Sequence, residues 1–298
     1  MNIGNLTRRE FGLAAGAFSV FAAFGKDAAE RPVVRFGAFA DSHYANKDPQ
    51  TGGSVADSVY YRDSLAKVKS FVETMNSRKV DFVIELGDFK DDSGGAEATL
   101  ARLDEIEGEL ARFDGPRYHV LGNHDTDVLT KDEFLSHVTN TGIGASRHYY
   151  SFSCGGVKFI VLDACYDSQM NPYCRNNPWT DSNIPPEEID WLRGELRSSS
   201  SPAIVFCHQR LDPNAAPNHD VRNAAEVRAV LESSRRVHAV FTGHEHVEGT
   251  CNLNGIYYYS LKGLTVGPQP AYNAFVEVAV YRSGAASVTA NADGQYRN

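Results

Sequence analysis

One stretch of the chain decides the fold: Phe82-Val83-Ile84-Glu85-Leu86-Gly87-Asp88-Phe89-Lys90-Asp91. Its first five residues are typical of a short buried strand, and Gly87 lets the backbone turn sharply so that Asp88 follows the strand's end. The helical spacing of apolar side chains predicts an amphipathic helix just before it, at about residues 61–77. A strand that follows a helix and ends in carboxylates favours a layered α/β fold with a site at the strand ends.

The same alternation continues on both sides of this stretch. A further helix is predicted around Leu103 to Phe113, and another begins at Pro185-Pro186 and runs through Leu196. Short apolar runs predict strands at 33–40, 118–121, 149–153, 157–163, 203–207, 237–242, 257–260, 274–280 and 286–290. The pattern indicates one α/β domain over residues 31–298. The long connection from Tyr166 to Ile184 is expected to form a rim or lid.

Side chains that bind metals recur where the predicted strands end. The blocks are Asp41-Ser42-His43, Gly87-Asp88-Phe89-Lys90-Asp91, Gly122-Asn123-His124-Asp125, Cys207-His208 and Gly243-His244-Glu245-His246. Loops at the carboxyl ends of strands in such sheets converge on a crevice, so these side chains are expected to lie together. Carboxylate, imidazole and amide oxygen suit Mn, Fe or Zn better than ions that prefer soft ligands. A shared carboxylate could bridge two such ions.

These five blocks, in this order, resemble the signature of the calcineurin-like metallophosphoesterase family: D-x-H, G-D-x-x-D, G-N-H-D, a lone H and G-H-x-H. The resemblance covers about residues 33 to 262. It implies the family's four-layered α/β/β/α sandwich and a dinuclear metal centre. By position, it implies that Asp41, His43 and His246 hold one metal, that Asn123, His208 and His244 hold the other, and that Asp88 bridges both.

The resemblance also implies roles for the two residues that follow Asn123. His124 is similar to the family's histidine that assists proton or charge transfer to the leaving group, and Asp125 is expected to hold its imidazole. A hydroxide between the metals would attack phosphorus in line with the leaving oxygen. Asp91 is expected to orient a ligand rather than to bind metal.

Within that family the chain is most similar to the manganese-dependent ADP-ribose/CDP-alcohol diphosphatase group. The shared stretches are Phe36-Gly37, Tyr60-Tyr61-Arg62-Asp63-Ser64-Leu65 and Val161-Leu162-Asp163-Ala164-Cys165-Tyr166-Asp167. The resemblance implies hydrolysis of phosphodiester or diphosphate bonds in small nucleotide-type substrates, with manganese favoured. Substrate choice is expected in the loops Asn46 to Asp57 and Tyr166 to Ile184. His119, His137, His148, His219 and His238 match no block and are interpreted as surface or strand histidines.

Two other functions are compatible with the same blocks. A phosphomonoesterase would use the same pair of metals on a different substrate. A phosphate- or nucleotide-binding module without catalysis would be expected to have lost a ligand or His124, whereas every one of these positions is filled here. The net charge of −9 argues against long nucleic acid as the partner, because proteins that bind it usually carry a basic face.

The first thirty residues differ from the rest of the chain. Arg8-Arg9 precede an uncharged run, Gly12 to Gly25, that is rich in Ala, Phe and Gly. A twin arginine before a modest apolar run resembles a Tat-type export signal, while the alternative is an amphipathic N-terminal segment. The interpretation predicts a leader at residues 1–30 recognised by the Tat machinery, cleaved between Gly25 and Arg31, and an exported, periplasmic protein. Export would permit disulfides among the five cysteines, and Cys165 with Cys174 would close the shortest loop.

Overall fold

The computed structural model of the protein describes residues 31–55, 58–175 and 177–291, so the predicted leader lies outside the described residues. In chain order the helices and strands are β1 (Val34–Phe39), α1 (Ser64–Arg78), β2 (Phe82–Glu85), α2 (Ala96–Leu110), β3 (Arg117–His119), α3 (Lys131–His137), β4 (Tyr150–Cys154), β5 (Val157–Val161), α4 (Pro186–Arg197), β6 (Ala203–Phe206), α5 (Ala224–Ser234), β7 (Val237–Thr242), β8 (Gly249–Leu253), β9 (Ile256–Ser260), β10 (Val276–Val280) and β11 (Ala286–Ala290). Within these ranges no helix is both long and apolar enough to cross a bilayer.

The strands form two mixed sheets. The first has the order β11-β10-β1-β2-β3, in which β1, β2 and β3 are parallel and β10 runs antiparallel to β1. The second has the order β4-β5-β6-β7-β9-β8, with parallel pairing from β5 to β9 and antiparallel strands at both edges. The parallel strands of each sheet therefore end together, and these ends carry the predicted metal-ligand blocks.

Aromatic side chains fill the space between the two sheets. Phe36 of β1 stacks on Phe82 of β2 with ring centroids 4.9 Å apart and meets Phe206 of the second sheet edge-on at 5.6 Å. All three side chains are fully or almost fully buried. Burial of such a ring contributes about 1.5–3 kcal/mol, so this layer holds the sheets face to face.

The helices cover the outer faces of the sheets. Apolar side chains of α1, α2 and α3 pack on the first sheet around Phe39 and Val83. Those of α4 and α5 pack on the second sheet around Val205 and Val240. The predicted four-layered α/β/β/α sandwich is therefore confirmed.

Three elements were not among the predicted ones: α3, α5 and the edge strand β8. The start of α3 carries a capping box, in which the Thr130 side chain accepts from Glu133 N and the Glu133 carboxylate accepts from Thr130 N. The five cysteines all lie within the described residues and are all unpaired. The loop from Cys165 to Cys174 is therefore not closed by a disulfide in this structure.

Candidate metal centre

The predicted ligands meet at the carboxyl ends of five strands. Asp41 follows β1, Asp88 follows β2, Asn123 follows β3, His208 follows β6, and His244 and His246 follow β7. Five of the seven predicted ligands line a cavity of about 220 Å³, whose lining residues are His43, Asp88, Asn123, His124, Trp179, His219, His244, Glu245 and His246. The other two, Asp41 and His208, lie against ligands that line it. The structure therefore brings all seven predicted ligand side chains to one place.

The first group consists of Asp41, His43 and His246, each of which offers an atom within 4.8 Å of the others. The Nε2 atoms of His43 and His246 face each other at 2.9 Å, and His246 Nε2 lies 3.6 Å from Asp41 Oδ1. On the far side of the ring, His43 Nδ1 is 3.3 Å from a carboxylate oxygen of Asp91. Asp91, which was predicted to orient a ligand, thus contacts His43 and turns its Nε2 toward the cavity.

The second group consists of Asp88, His208 and His244, again within 4.8 Å of one another. His208 Nδ1 donates to the carbonyl oxygen of Leu86 at 2.8 Å, because a carbonyl can only accept. The other ring nitrogen, Nε2, therefore points into the site and lies 3.1 Å from Asp88 Oδ2. The Oδ1 atom of Asn123, the fourth predicted member, is buried and has no hydrogen-bond partner among the described residues.

Asp88 lies between the two groups. One of its oxygens, Oδ2, is 3.1 Å from His208 Nε2 and 3.6 Å from His43 Nε2. Its other oxygen, Oδ1, accepts a hydrogen bond of 2.7 Å from His124 N. The carboxylate therefore reaches both groups, as a bridging ligand must.

The backbone around the centre is strained. Positive φ angles occur at five of the seven predicted ligands: Asp41 (54°), His43 (46°), Asp88 (56°), His244 (72°) and His246 (58°). Such angles are uncommon outside glycine, and clusters of them mark functional sites. Close packing also requires glycine next to these ligands. A Cβ on Gly122 would lie 2.2 Å from Asp88 N, and a Cβ on Gly243 would lie 2.7 Å from Asp41 Oδ2.

Burial and mutual charge set the protonation of these groups. Burial and the neighbouring His208 lower the pKa of His244 well below its usual value, and burial and His43 do the same to the pKa of His246. Burial lowers the pKa of His208, but the carboxylates of Asp88 and Asp41 outweigh it and raise that pKa to about 10. The imidazoles of His244 and His246 are therefore neutral, which is the form that binds metals.

The residues present fit a pair of metal ions. The cavity contains two imidazole nitrogens that face each other at 2.9 Å, and buried acceptor atoms of Asn123 and His244 that lack hydrogen-bond partners. Buried polar atoms rarely lack partners unless an ion or another bound group satisfies them. Imidazole, carboxylate and amide oxygen form the donor set that Mn, Fe and Zn share.

His124 sits at the edge of this centre, beside the His43 ring, and its imidazole is hydrogen-bonded to a carboxylate outside the predicted ligand set. Its Nδ1 is hydrogen-bonded to Asp127 Oδ2 at 2.6 Å and lies 3.7 Å from Asp91 Oδ2. Burial lowers its pKa, but the carboxylates of Asp88, Asp127 and Asp91 together raise that pKa to about 9. The imidazole is therefore held ready to carry a proton beside the cavity.

The prediction that Asp125 holds the His124 imidazole is wrong. The Asp125 carboxylate instead accepts hydrogen bonds from backbone N–H groups of two loops, at 3.0 Å from Asp88 N and 2.8 Å from Gly122 N. The residues His124–Thr126 form a 3₁₀ turn, in which side chains three apart eclipse, so Asp127 rather than Asp125 reaches His124. Asp125 joins the Asp88 loop to the Asn123 loop.

Two cavity-lining side chains were not identified from the sequence. His219, interpreted as a surface or strand histidine, lies with its ring centroid 5.2 Å from that of His244. Trp179 belongs to the predicted rim loop, and its ring centroid lies 5.7 Å from that of His244. None of the described residues of the other predicted substrate loop, 46–55, lines the cavity. No block marks His219, and only its distance in space from His244 identifies it.

Comparison with known proteins gives one family. Residues 34–248 match the family described as calcineurin-like phosphoesterase. A rice (Oryza sativa subsp. japonica) protein named manganese-dependent ADP-ribose/CDP-alcohol diphosphatase is 28% identical, over 84% of this chain and 89% of its own. The human protein of that name is 25% identical, over 86% of this chain and 89% of its own.

Solved structures share the fold. A dimetal phosphatase from Danio rerio superposes with a TM-score of 0.73 at 22% identity, covering 84% of this chain and 93% of its own. A purple acid phosphatase from yellow lupin gives a TM-score of 0.62 at 15% identity, over 91% of this chain and 53% of its own. The family match spans most of the two-sheet domain and includes every block at the strand ends. The chain therefore belongs to the calcineurin-like phosphoesterase family.

Proposed function

We propose that this protein hydrolyses phosphodiester or diphosphate bonds in small nucleotide-type molecules. The reaction would take place at a centre of two metal ions, and manganese is the favoured metal. The observation that carries the proposal is the pair of ligand groups that share the Asp88 carboxylate at one cavity. The names of the rice and human relatives support a diphosphatase of the ADP-ribose/CDP-alcohol type.

Asp41, His43 and His246 would hold one ion, Asn123, His208 and His244 the other, and Asp88 both. Bound there, the ions would supply Lewis acidity that stabilises charge on the phosphoryl oxygens and makes a nucleophile from water near neutral pH. His208 and His43 each have Nδ1 held by a partner on the far side, so Nε2 of each is directed at the centre before any ion binds. The chain contributes this preorganisation.

His124 would donate a proton to the oxygen that leaves phosphorus. Its imidazole borders the cavity, and Asp127 and Asp91 favour the protonated form. It is 35% exposed, so a leaving group can approach it from the cavity. A positioned proton donor of this kind contributes about 10²–10⁴-fold to the rate.

The proposal is tested by combining metal analysis with a substrate panel. Purified protein reconstituted with Mn²⁺ should hold two ions per chain and hydrolyse ADP-ribose, CDP-choline and bis-p-nitrophenyl phosphate. Faster turnover of adenosine 5′-monophosphate than of every diester or diphosphate would favour a phosphomonoesterase. Stable metal binding without hydrolysis of any compound would favour a binding module.

We further propose that residues 1–30 direct the protein through the Tat machinery to the periplasm. The support is the sequence alone: Arg8-Arg9, Phe11 and the uncharged run that follows. Arg8→Lys combined with Arg9→Lys should keep the protein in the cytoplasm while the purified enzyme stays active. Unchanged export of the double variant would contradict the proposal.

A further inference from the structure

Trp179 is a large apolar side chain at an unusual place. It is 42% exposed and lies at the rim of the metal-ligand cavity, where its ring centroid is 5.0 Å from that of His219 and 5.7 Å from that of His244. The planes of Trp179 and His219 are tilted by 54°, so the two rings do not stack on each other. Both rings line the cavity.

The loop that carries Trp179 is anchored by buried side chains. Tyr173, only 1% exposed, donates from its hydroxyl to the Pro178 carbonyl at 3.1 Å, and its hydroxyl lies 3.2 Å from Ser182 Oγ. Ser182 Oγ in turn contacts the Trp179 carbonyl at 3.4 Å. The backbone on both sides of the indole is therefore held by the fold, which places the ring at the cavity.

The loop that carries His219 is tied to the same structure. Arg222 N donates to Ser182 O at 2.8 Å, and His219 O accepts from Arg210 N at 3.2 Å. His219 Nδ1 lies 3.1 Å from the Pro217 carbonyl and must carry the proton there, because a carbonyl only accepts. In this tautomer the neutral ring has its acceptor at Nε2.

We propose that Trp179 and His219 form an aromatic clamp that binds a planar base of the substrate, with a nucleobase as the ligand class. This inference rests on the proposed function, since the substrate's phosphate would lie at the adjoining metal centre. Every nucleobase has a π face. A tryptophan at the rim can therefore stack on any base, whatever hydrogen-bond donors and acceptors that base carries. The acceptor at His219 suits a ribose hydroxyl or an exocyclic amine.

The clamp also gives the bound substrate a direction. Trp179 and His219 contact His244 of the second group, whereas the His124 ring lies 4.7 Å from that of His43 in the first group. The base therefore lies on the side of the second group, and the leaving group lies on the side of His124. In a nucleoside diphosphate ester bound this way, the phosphate that is attacked is the one attached to the nucleoside. The second phosphate leaves together with the group that it carries.

The test compares two substrates that share a leaving group. Thymidine 5′-(p-nitrophenyl phosphate) carries a base, ethyl p-nitrophenyl phosphate does not, and both release p-nitrophenolate. In Trp179→Leu the ratio of their kcat/KM values should fall roughly 5- to 150-fold, which is the loss expected when one base–aromatic stack is removed. Trp179→Phe, which keeps a ring, should retain most of the ratio.

Trp191→Leu is the matched control, because this second tryptophan packs on Tyr149 outside the cavity. Its ratio should equal that of the wild type. An unchanged ratio in Trp179→Leu, whether both substrates are slowed or neither is, would overturn the clamp.

A binding measurement keeps the two proposals separate. The chain has two tryptophans, so the tryptophan fluorescence of the metal-loaded Trp191→Phe variant comes from Trp179 alone. Adenosine 5′-monophosphate should quench its fluorescence, and ribose 5-phosphate at equal occupancy should not. Quenching without hydrolysis of any compound would remove the proposed activity and keep the clamp. Hydrolysis with no quenching by the nucleotide would remove the clamp and keep the activity.

Discussion

The second group of the centre, Asp88, His208 and His244, and the first, Asp41, His43 and His246, differ in what holds their imidazoles. His208 is fully buried, and its Nδ1 donates to a backbone carbonyl of the Asp88 loop at 2.8 Å. His43 depends on a side chain, Asp91, at a longer distance of 3.3 Å. The His208 ring is therefore fixed by a backbone group at the end of β2, and the His43 ring by a side chain that must be positioned in turn.

The first group also shares its support with other residues. Asp91 holds His43 through Oδ2, accepts from Lys47 Nζ at 2.6 Å through Oδ1, and lies 3.7 Å from His124 Nδ1. The Lys47 side chain is 36% exposed, and His246 is 22% exposed. The first group is therefore the more accessible of the two, because solvent reaches His246 and the Lys47 side chain that supports Asp91.

Asp88→Asn should have the largest effect, because this carboxylate reaches both groups. The amide loses the charge that two cations would share, so we expect kcat to fall by at least about 10⁴-fold, equivalent to roughly 5 kcal/mol. Metal analysis should show fewer than two ions per chain. Full activity in this variant would break the account of both halves at once.

His124→Ala should come next, with kcat lowered about 10²–10⁴-fold and metal content unchanged. The deficit should grow as the leaving group becomes more basic, because p-nitrophenolate needs little protonation and an alkoxide needs much. The measurement is kcat for wild type and variant on esters of graded leaving-group pKa. A deficit that is equal across the series would confine His124 to stabilising charge or shaping the site.

Asp91→Ala sharpens the comparison between the halves. Without the carboxylate the His43 ring is free to turn, and loss of such a partner costs about 10–100-fold in metal affinity. We expect this loss for one of the two ions only, measured by titration of metal-free protein. Asp92→Ala is the matched control, since Asp92 accepts from the Gly94 and Gly95 amides and its hydrogen bonds do not involve a histidine.

Stepwise chelation should reveal the smallest difference. The more exposed first group should release its ion at lower chelator concentration, with a dissociation constant about tenfold weaker, or about 1.4 kcal/mol. As the chelator concentration is raised, the measured metal content should show an intermediate with one ion per chain. Simultaneous release of both ions would show that the two halves do not differ.

Much of the centre could be predicted because its ligands follow strands. Asp41, Asp88 and Asn123 each come directly after an apolar run, and parallel strands deliver such residues to one edge. The layered fold was predictable for the same reason, although α3 was missed despite its Thr130–Glu133 capping box.

What could not be predicted depends on local geometry or on distant loops. The partner of His124 depends on a 3₁₀ turn, which moves the contact from Asp125 to Asp127. His219 reaches the cavity through a loop with no periodic pattern, held by hydrogen bonds to residues far along the chain. Neither feature leaves a signal in the spacing of residues.

The most direct test of the two-metal centre is anomalous diffraction at the manganese edge from crystals of the Mn²⁺-loaded protein. The account predicts two peaks, one at Asp41, His43 and His246 and the other at Asn123, His208 and His244, with the Asp88 carboxylate in contact with both. A single peak, or two peaks of which Asp88 contacts only one, would contradict it.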